Sequence, residues 1–71
     1  DAKIYLANLT IGGELGYEIS AGRHAWVQIL SGAVKVNGQS LATSDAVAVS
    51  DENWLLLQTD DQAELMLFDL A

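Results

Sequence analysis

Seventy-one residues hold at most one domain, and with no Cys neither a disulfide nor a thiolate-bound metal can supplement its core. The formal net charge is −7, with Lys3, Arg23 and Lys35 the only cations besides His24. Three scattered cations cannot neutralise a row of phosphates and are repelled by an anionic membrane, so neither nucleic acid nor membrane is expected as a partner.

Apolar residues make up 51% of the chain. That is generous for so small a domain, and part of the apolar surface is expected to face another domain or a second copy. No apolar run approaches the ~20 residues of a membrane helix. No signal-peptide pattern is visible, and the lack of Cys suits a reducing compartment, so a cytoplasmic location is expected. The sequence starts at Asp1 rather than Met, which suggests processing or a piece of a longer protein.

In chain order the pattern is that of strands. Residues 4–9 read as a first strand, with Ile4 and Leu6 on one side. Gly12-Gly13 breaks it. Leu15, Tyr17 and Ile19 then alternate with Gly16, Glu18 and Ser20, giving a strand with one wet face. After the Ala21-Gly22 turn comes the organising stretch, Arg23 to Gly38. It reads as two strands joined at Ser31-Gly32 and closed at Asn37-Gly38, the strongest short signal for a two-residue hairpin. Val27 and Ile29 fall on one face of the first strand and Trp26, Gln28 and Leu30 on the other. Val34 and Val36 keep an apolar face on the second while Lys35 points away.

Gln39 to Leu41 continues the hairpin and Ala42-Thr43-Ser44 is a loop. Asp45 to Val49 is a strand with Val47 and Val49 inward. Residues 50–53 form a polar turn. Trp54 to Gln58 and Ala63 to Leu70 are strands with few polar interruptions, separated by a turn at residues 59–62. Short strands every ~8–12 residues indicate an all-β sandwich or barrel.

Catalytic apparatus is not evident. His24 stands alone, whereas catalytic zinc or iron sites need two or three imidazoles. Arg23 reads as a solvated or salt-bridged cation. Asp51-Glu52 and Asp60-Asp61 lie in loops but lack the D-x-D-x-D-G spacing of a calcium loop. Glu14 and Glu18 share a face about 13 Å apart, wide for a glycosidase pair. Ser20, Ser31, Ser40, Ser44 and Ser50 have no nucleophile elbow, and Gly12-Gly13 precedes no helix that would cradle phosphate. The residues left as candidates for a ligand or an interface are Tyr17, Trp26, Trp54, Leu56, Leu65 and Leu67. The stretches Trp54–Leu57 and Leu65–Phe68, apolar on both faces, are the expected contact surfaces.

The order Ile4-Tyr5-Leu6-Ala7, Ala21-Gly22-Arg23-His24-Ala25-Trp26-Val27-Gln28, Leu30-Ser31-Gly32, Val36-Asn37-Gly38, Leu41, Asp45 and Leu67-Phe68-Asp69-Leu70 resembles the C-terminal cupin domain of pirin-like bicupin proteins. The resemblance runs nearly end to end. It implies a small cupin-type barrel of antiparallel strands, a double-stranded β-helix or jelly roll, occupying residues 1–71 as the C-terminal half of a longer bicupin. It implies an N-terminal cupin domain as partner, one that holds a transition metal, in a parent related to quercetin 2,3-dioxygenases.

In this chain Ala25 stands where the first cupin motif has its Glu, and no H-x-H precedes it. Ser44-Asp45 stands for the Gly-Asp of the second motif, and Asn53, Trp54 and Leu55 occupy the region of its His. No metal ligand and no catalytic residue carries over. The expectation is a metal-free structural domain that packs on the N-terminal domain or on a second copy. The alternative is a module that binds a small aromatic, flavonoid-like molecule or another protein.

Overall fold

The computed structural model describes residues 2–50 and 52–71. Eight antiparallel strands run β1 Ala2–Leu9, β2 Glu14–Glu18, β3 His24–Ser31, β4 Val34–Val36, β5 Gln39–Leu41, β6 Ala46–Val49, β7 Trp54–Gln58 and β8 Ala63–Leu70. They form two four-stranded sheets, β1-β8-β3-β6 and β2-β7-β4-β5. The all-β cupin-type expectation holds, as two facing sheets rather than one ladder closed on itself.

The core lies between the sheets. Val27, Ile29, Leu65 and Leu67 of the first meet Leu55, Leu57, Val34 and Val36 of the second, all at 3% exposure or less. Burying each such side chain contributes about 1.5–3 kcal/mol, which is how a chain without disulfides can hold together. The alternation Val27/Ile29 in, Trp26/Leu30 out is as the sequence indicates. So are Val34 and Val36 in, with Lys35 out.

The joint at Ser31-Gly32 is a crossing between sheets. β3 pairs with β8 and β6, whereas β4 pairs with β5 and β7, so the chain changes sheets there. A register shift between Ile29 and Ser31 bends β3 into the crossing. Gly32 follows at φ 85, where a Cβ would lie 2.3 Å from the Gln62 carbonyl oxygen. Thr43 fastens the corner. Its Oγ1 accepts from the Gly32 amide at 3.0 Å and donates to the Gly32 carbonyl at 3.2 Å.

Asn37-Gly38 is the two-residue turn that the sequence predicts. Both residues have positive φ, 48 and 86, and Val36 faces Gln39 across it. Asn37 also extends the ladder beyond β4. Its amide donates to the Leu56 carbonyl at 3.0 Å. Its side-chain Oδ1 accepts from the Leu56 amide at 2.8 Å, and its Nδ2 donates to the Trp54 carbonyl at 3.1 Å.

One strand turns its more apolar side away from the core. Lys3, Tyr5, Ala7 and Leu9 of β1 pair with the inward residues of β8, so Ile4 and Leu6 face outward, 58% and 62% exposed.

Candidate functional site

Where a cupin metal would sit, the interior is apolar. Ala25 points into the core at 2% exposure, and Leu55 does so at 0%. Asp45 caps its own loop by accepting the Ala42 amide at 2.9 Å on Oδ2. Among the described residues no three His, Cys, Asp or Glu side chains cluster with metal-binding spacing. These side chains do not fit a metal ion, since neither the methyl of Ala25 nor the isobutyl of Leu55 offers a lone pair.

Among the described residues the buried polar side chains are Thr59, which donates to the Ala33 carbonyl at 2.8 Å, and the charged Asp69 at one end of the sandwich. Asp69 on β8 is 3% exposed. Tyr17 reaches across from β2 in the opposite sheet and donates its hydroxyl to Asp69 Oδ2 at 2.5 Å. Arg23, in the turn before β3, donates Nε to Oδ1 at 2.6 Å and Nη2 to the Asp69 carbonyl at 3.1 Å. Tyr5 packs against the Tyr17 ring at a centroid distance of 5.5 Å.

The hydrogen bonds from Tyr17 and then Arg23 hold the Asp69 carboxyl below its ordinary pKa, against the opposing effect of burial. The Tyr17 phenol is pushed well above its usual range, first by its bond to that carboxylate and then by burial. This arrangement fastens one sheet to the other. A phenol that resists ionisation and a carboxylate that resists protonation are poor proton carriers at neutral pH.

The other sequence candidates fall in separate places. Leu65 and Leu67 lie inside the core, at 0% and 1% exposure, and present no surface; the outward residues of that strand are Met66 and Phe68. Trp26 faces out from the first sheet at 41% exposure and Trp54 from the second at 51%. Leu56 shares the outer face of β7 with Trp54. The six therefore form no single site.

Arg23 is salt-bridged, as its sequence context suggests. His24 is exposed, with Nδ1 2.9 Å from Ser50 Oγ. Of the two acidic loops, Asp60-Asp61 is exposed, and Asp51 lies outside the described residues. Asp69 was legible only as part of a family motif; nothing in the spacing of residues 17, 23 and 69 announces their meeting.

The two outer faces differ in chemistry. On the second sheet, Glu14, Gln58, Lys35 and Ser40 stand in one cross-strand row, and Gln58 Nε2 donates to Glu14 Oε2 at 2.7 Å. Trp54 lies over Gly16, where a Cβ would come within 2.3 Å of the indole. On the first sheet one row reads Ile4, Phe68, Trp26, Ala48, and the next reads Leu6, Met66, Gln28, Ala46.

Surface concavities draw on other residues. One of about 250 Å³ is lined by Ala33, Lys35, Ser40, Gln58, Thr59 and Asp60 among others, and another of about 390 Å³ by Ser20, Arg23, His24, Glu52 and Asn53 among others. Among the described residues no buried side-chain nitrogen or oxygen lacks a hydrogen bond, so none is held in reserve for a ligand.

Comparison with known proteins agrees with this architecture. Residues 1–70 match the family described as the quercetinase C-terminal cupin domain. A quercetin 2,3-dioxygenase of Escherichia coli K12 is 34% identical over 70 residues, covering 99% of this chain and 30% of that protein. A pirin-like protein of Caulobacter vibrioides is 31% identical over 71 residues, covering 100% of this chain and 31% of its own length. The crystal structure of YhhW from Escherichia coli superposes with TM-score 0.97 at 34% identity over 100% of this chain and 30% of that one. A further structure of that bacterial pirin, in complex with nickel(II), gives 0.96. A cupin domain of a transcriptional regulator from Enterobacter cloacae, 14% identical, shares the fold with TM-score 0.81. The chain thus spans about a third of the length of the curated relatives it matches. It belongs to the quercetinase C-terminal cupin domain family.

Proposed function

We propose that this chain is the metal-free, non-catalytic cupin domain of a bicupin protein of the quercetin 2,3-dioxygenase type, and that its work is to pack against the domain that carries the chemistry. The observation that carries the reading is the replacement of ligands by core. Ala25 stands at the motif position of the cupin glutamate and is sealed between the sheets; of Asn53, Trp54 and Leu55 in the histidine region, Leu55 is sealed there too and the other two face solvent. The relatives support a larger parent, because the matched part is only 30% of the E. coli protein. A cytoplasmic location accords with a sequence free of Cys.

Binding of an aromatic ligand inside the sandwich has less support, because Val27, Ile29, Leu55, Leu57, Leu65 and Leu67 already fill the interior.

Metal analysis tests the proposal. The purified chain is equilibrated with nickel(II), iron(II), zinc and copper(II), desalted, and its metal content measured. The expected content is below about one-tenth of an ion per chain, since structural and catalytic sites require three or four donor side chains. A stoichiometric ion that survives desalting would overturn the proposal.

A further inference from the structure

The two sheets present opposite chemistry to the outside, and the difference identifies which one is covered. A monomeric domain keeps the outer face of a sandwich polar. The second sheet does so with its row of Glu14, Gln58, Lys35 and Ser40, and its large apolar groups are confined to Trp54, which lies over Gly16, and Leu56 on the single strand β7. The first sheet does not. Ile4, Phe68, Trp26 and Ala48 cross all four of its strands, flanked by Leu6 and Met66 on one side and Leu70 on the other. Ile4, Leu6, Trp26 and Leu70 are 58%, 62%, 41% and 37% exposed. The charged or ionisable groups on this face, Glu64 and His24, sit at its two ends. A contiguous apolar patch with a polar rim marks an interaction surface.

We infer that the outer face of the β1-β8-β3-β6 sheet, centred on Phe68 and Trp26, is the surface that docks on the remainder of the parent polypeptide, and that the outer face of β2-β7-β4-β5 stays in solvent. The occupant follows from length and charge. In the E. coli relative the matched part is 30% of the chain, so about 70% of the same polypeptide lies elsewhere and is tethered to this domain. Tethering presents a partner at an effective concentration that a free one rarely reaches. A second copy is disfavoured, because it would set a net charge of −7 against another −7. This rests on the proposal of a bicupin parent, but a metal ion found in this domain would leave the docking surface untouched.

Thiol labelling in the full-length parent tests it, because this domain contributes no native Cys. Leu6→Cys reports on the first sheet, Lys35→Cys on the second, and Ile4→Cys replaces the former if it folds poorly. Labelling rates are read peptide by peptide, relative to the urea-unfolded parent. The thiol introduced at Leu6 should react at least about tenfold more slowly than that at Lys35, a protection of roughly 1.4 kcal/mol. Equal rates would overturn the inference. Protection at Leu6 that vanishes on dilution would assign the face to a second copy and overturn it too.

Discussion

Replacing Asp69 by Ala removes the acceptor shared by Tyr17 and Arg23 and deletes the anionic partner of a largely buried ion pair. Asp69 is 4% exposed in its side chain and Arg23 18%. Breaking a buried pair by deleting one partner costs ~3–5 kcal/mol; with Arg23 partly open to water, the lower end applies, about 3 kcal/mol. A chain of this size has about 4–11 kcal/mol of total stability at ~0.05–0.15 kcal/mol per residue, so the loss is a large fraction of the whole. Urea unfolding followed by tryptophan fluorescence measures it. With m of about 1 kcal/mol/M, the midpoint should fall by roughly 3 M. Asp69→Asn keeps the shape and one acceptor and should cost about 1–2 kcal/mol.

The same network sets the pH limbs. The Asp69 pKa is lowered by folding, so its stabilisation is complete above the ordinary carboxylate range and is lost as pH falls through the lower folded value. The Tyr17 pKa is raised, so its stabilisation is complete below about pH 10 and is lost as pH rises through the folded value. In Tyr17→Phe the alkaline limb attributable to this phenol should vanish. A loss under about 1 kcal/mol for Asp69→Ala, with an unchanged m, would refute the reasoning.

Gly32→Ala should destabilise by more than about 2 kcal/mol, because positive-φ strain adds to collision with the Gln62 carbonyl, whereas Gly38→Ala should cost only about 1–2 kcal/mol because its Cβ meets nothing within 4 Å. Urea midpoints of the two variants compare them directly. Gly16→Ala should displace the exposed Trp54 indole and change its emission, at a cost of ~1 kcal/mol that disappears in a Trp54→Ala background. Leu67→Ala should cost ~2–5 kcal/mol, and its outward neighbour Met66→Ala clearly less in the isolated domain. Equal costs for the last pair, by the same assay, would contradict the assignment of inner and outer faces.

Local structure was legible where one residue carries one signal. The alternation around Val27 and Ile29 and the Asn37-Gly38 turn need nothing beyond their own neighbours, and β7 and β8 have the bounds that their sequence suggests. Sheet membership was not legible. The sequence marks a joint between two strands at Ser31-Gly32, and only the tertiary pairing shows that Gly32 carries the chain across to the other sheet. Period two also leaves the direction of a face undetermined. Ile4 and Leu6 are the more apolar side of β1, yet the register with β8 sends Tyr5 and Ala7 inward. Tyr17 and Asp69 meet across 52 positions, and Arg23 and Asp69 across 46, separations that no window can span. The likeness to a known family supplied what periodicity could not, a reason to expect core where ligands would stand.

Asn37 also bears on how this protein ages. An Asn followed by Gly loses its side-chain nitrogen when the backbone nitrogen of the glycine attacks the carboxamide carbon, closing a succinimide ring. Here both ends of that carboxamide are tied to β7, to the Leu56 amide and the Trp54 carbonyl. The fold therefore shields its most perishable dipeptide, and deamidated molecules should accumulate only as fast as the turn comes undone.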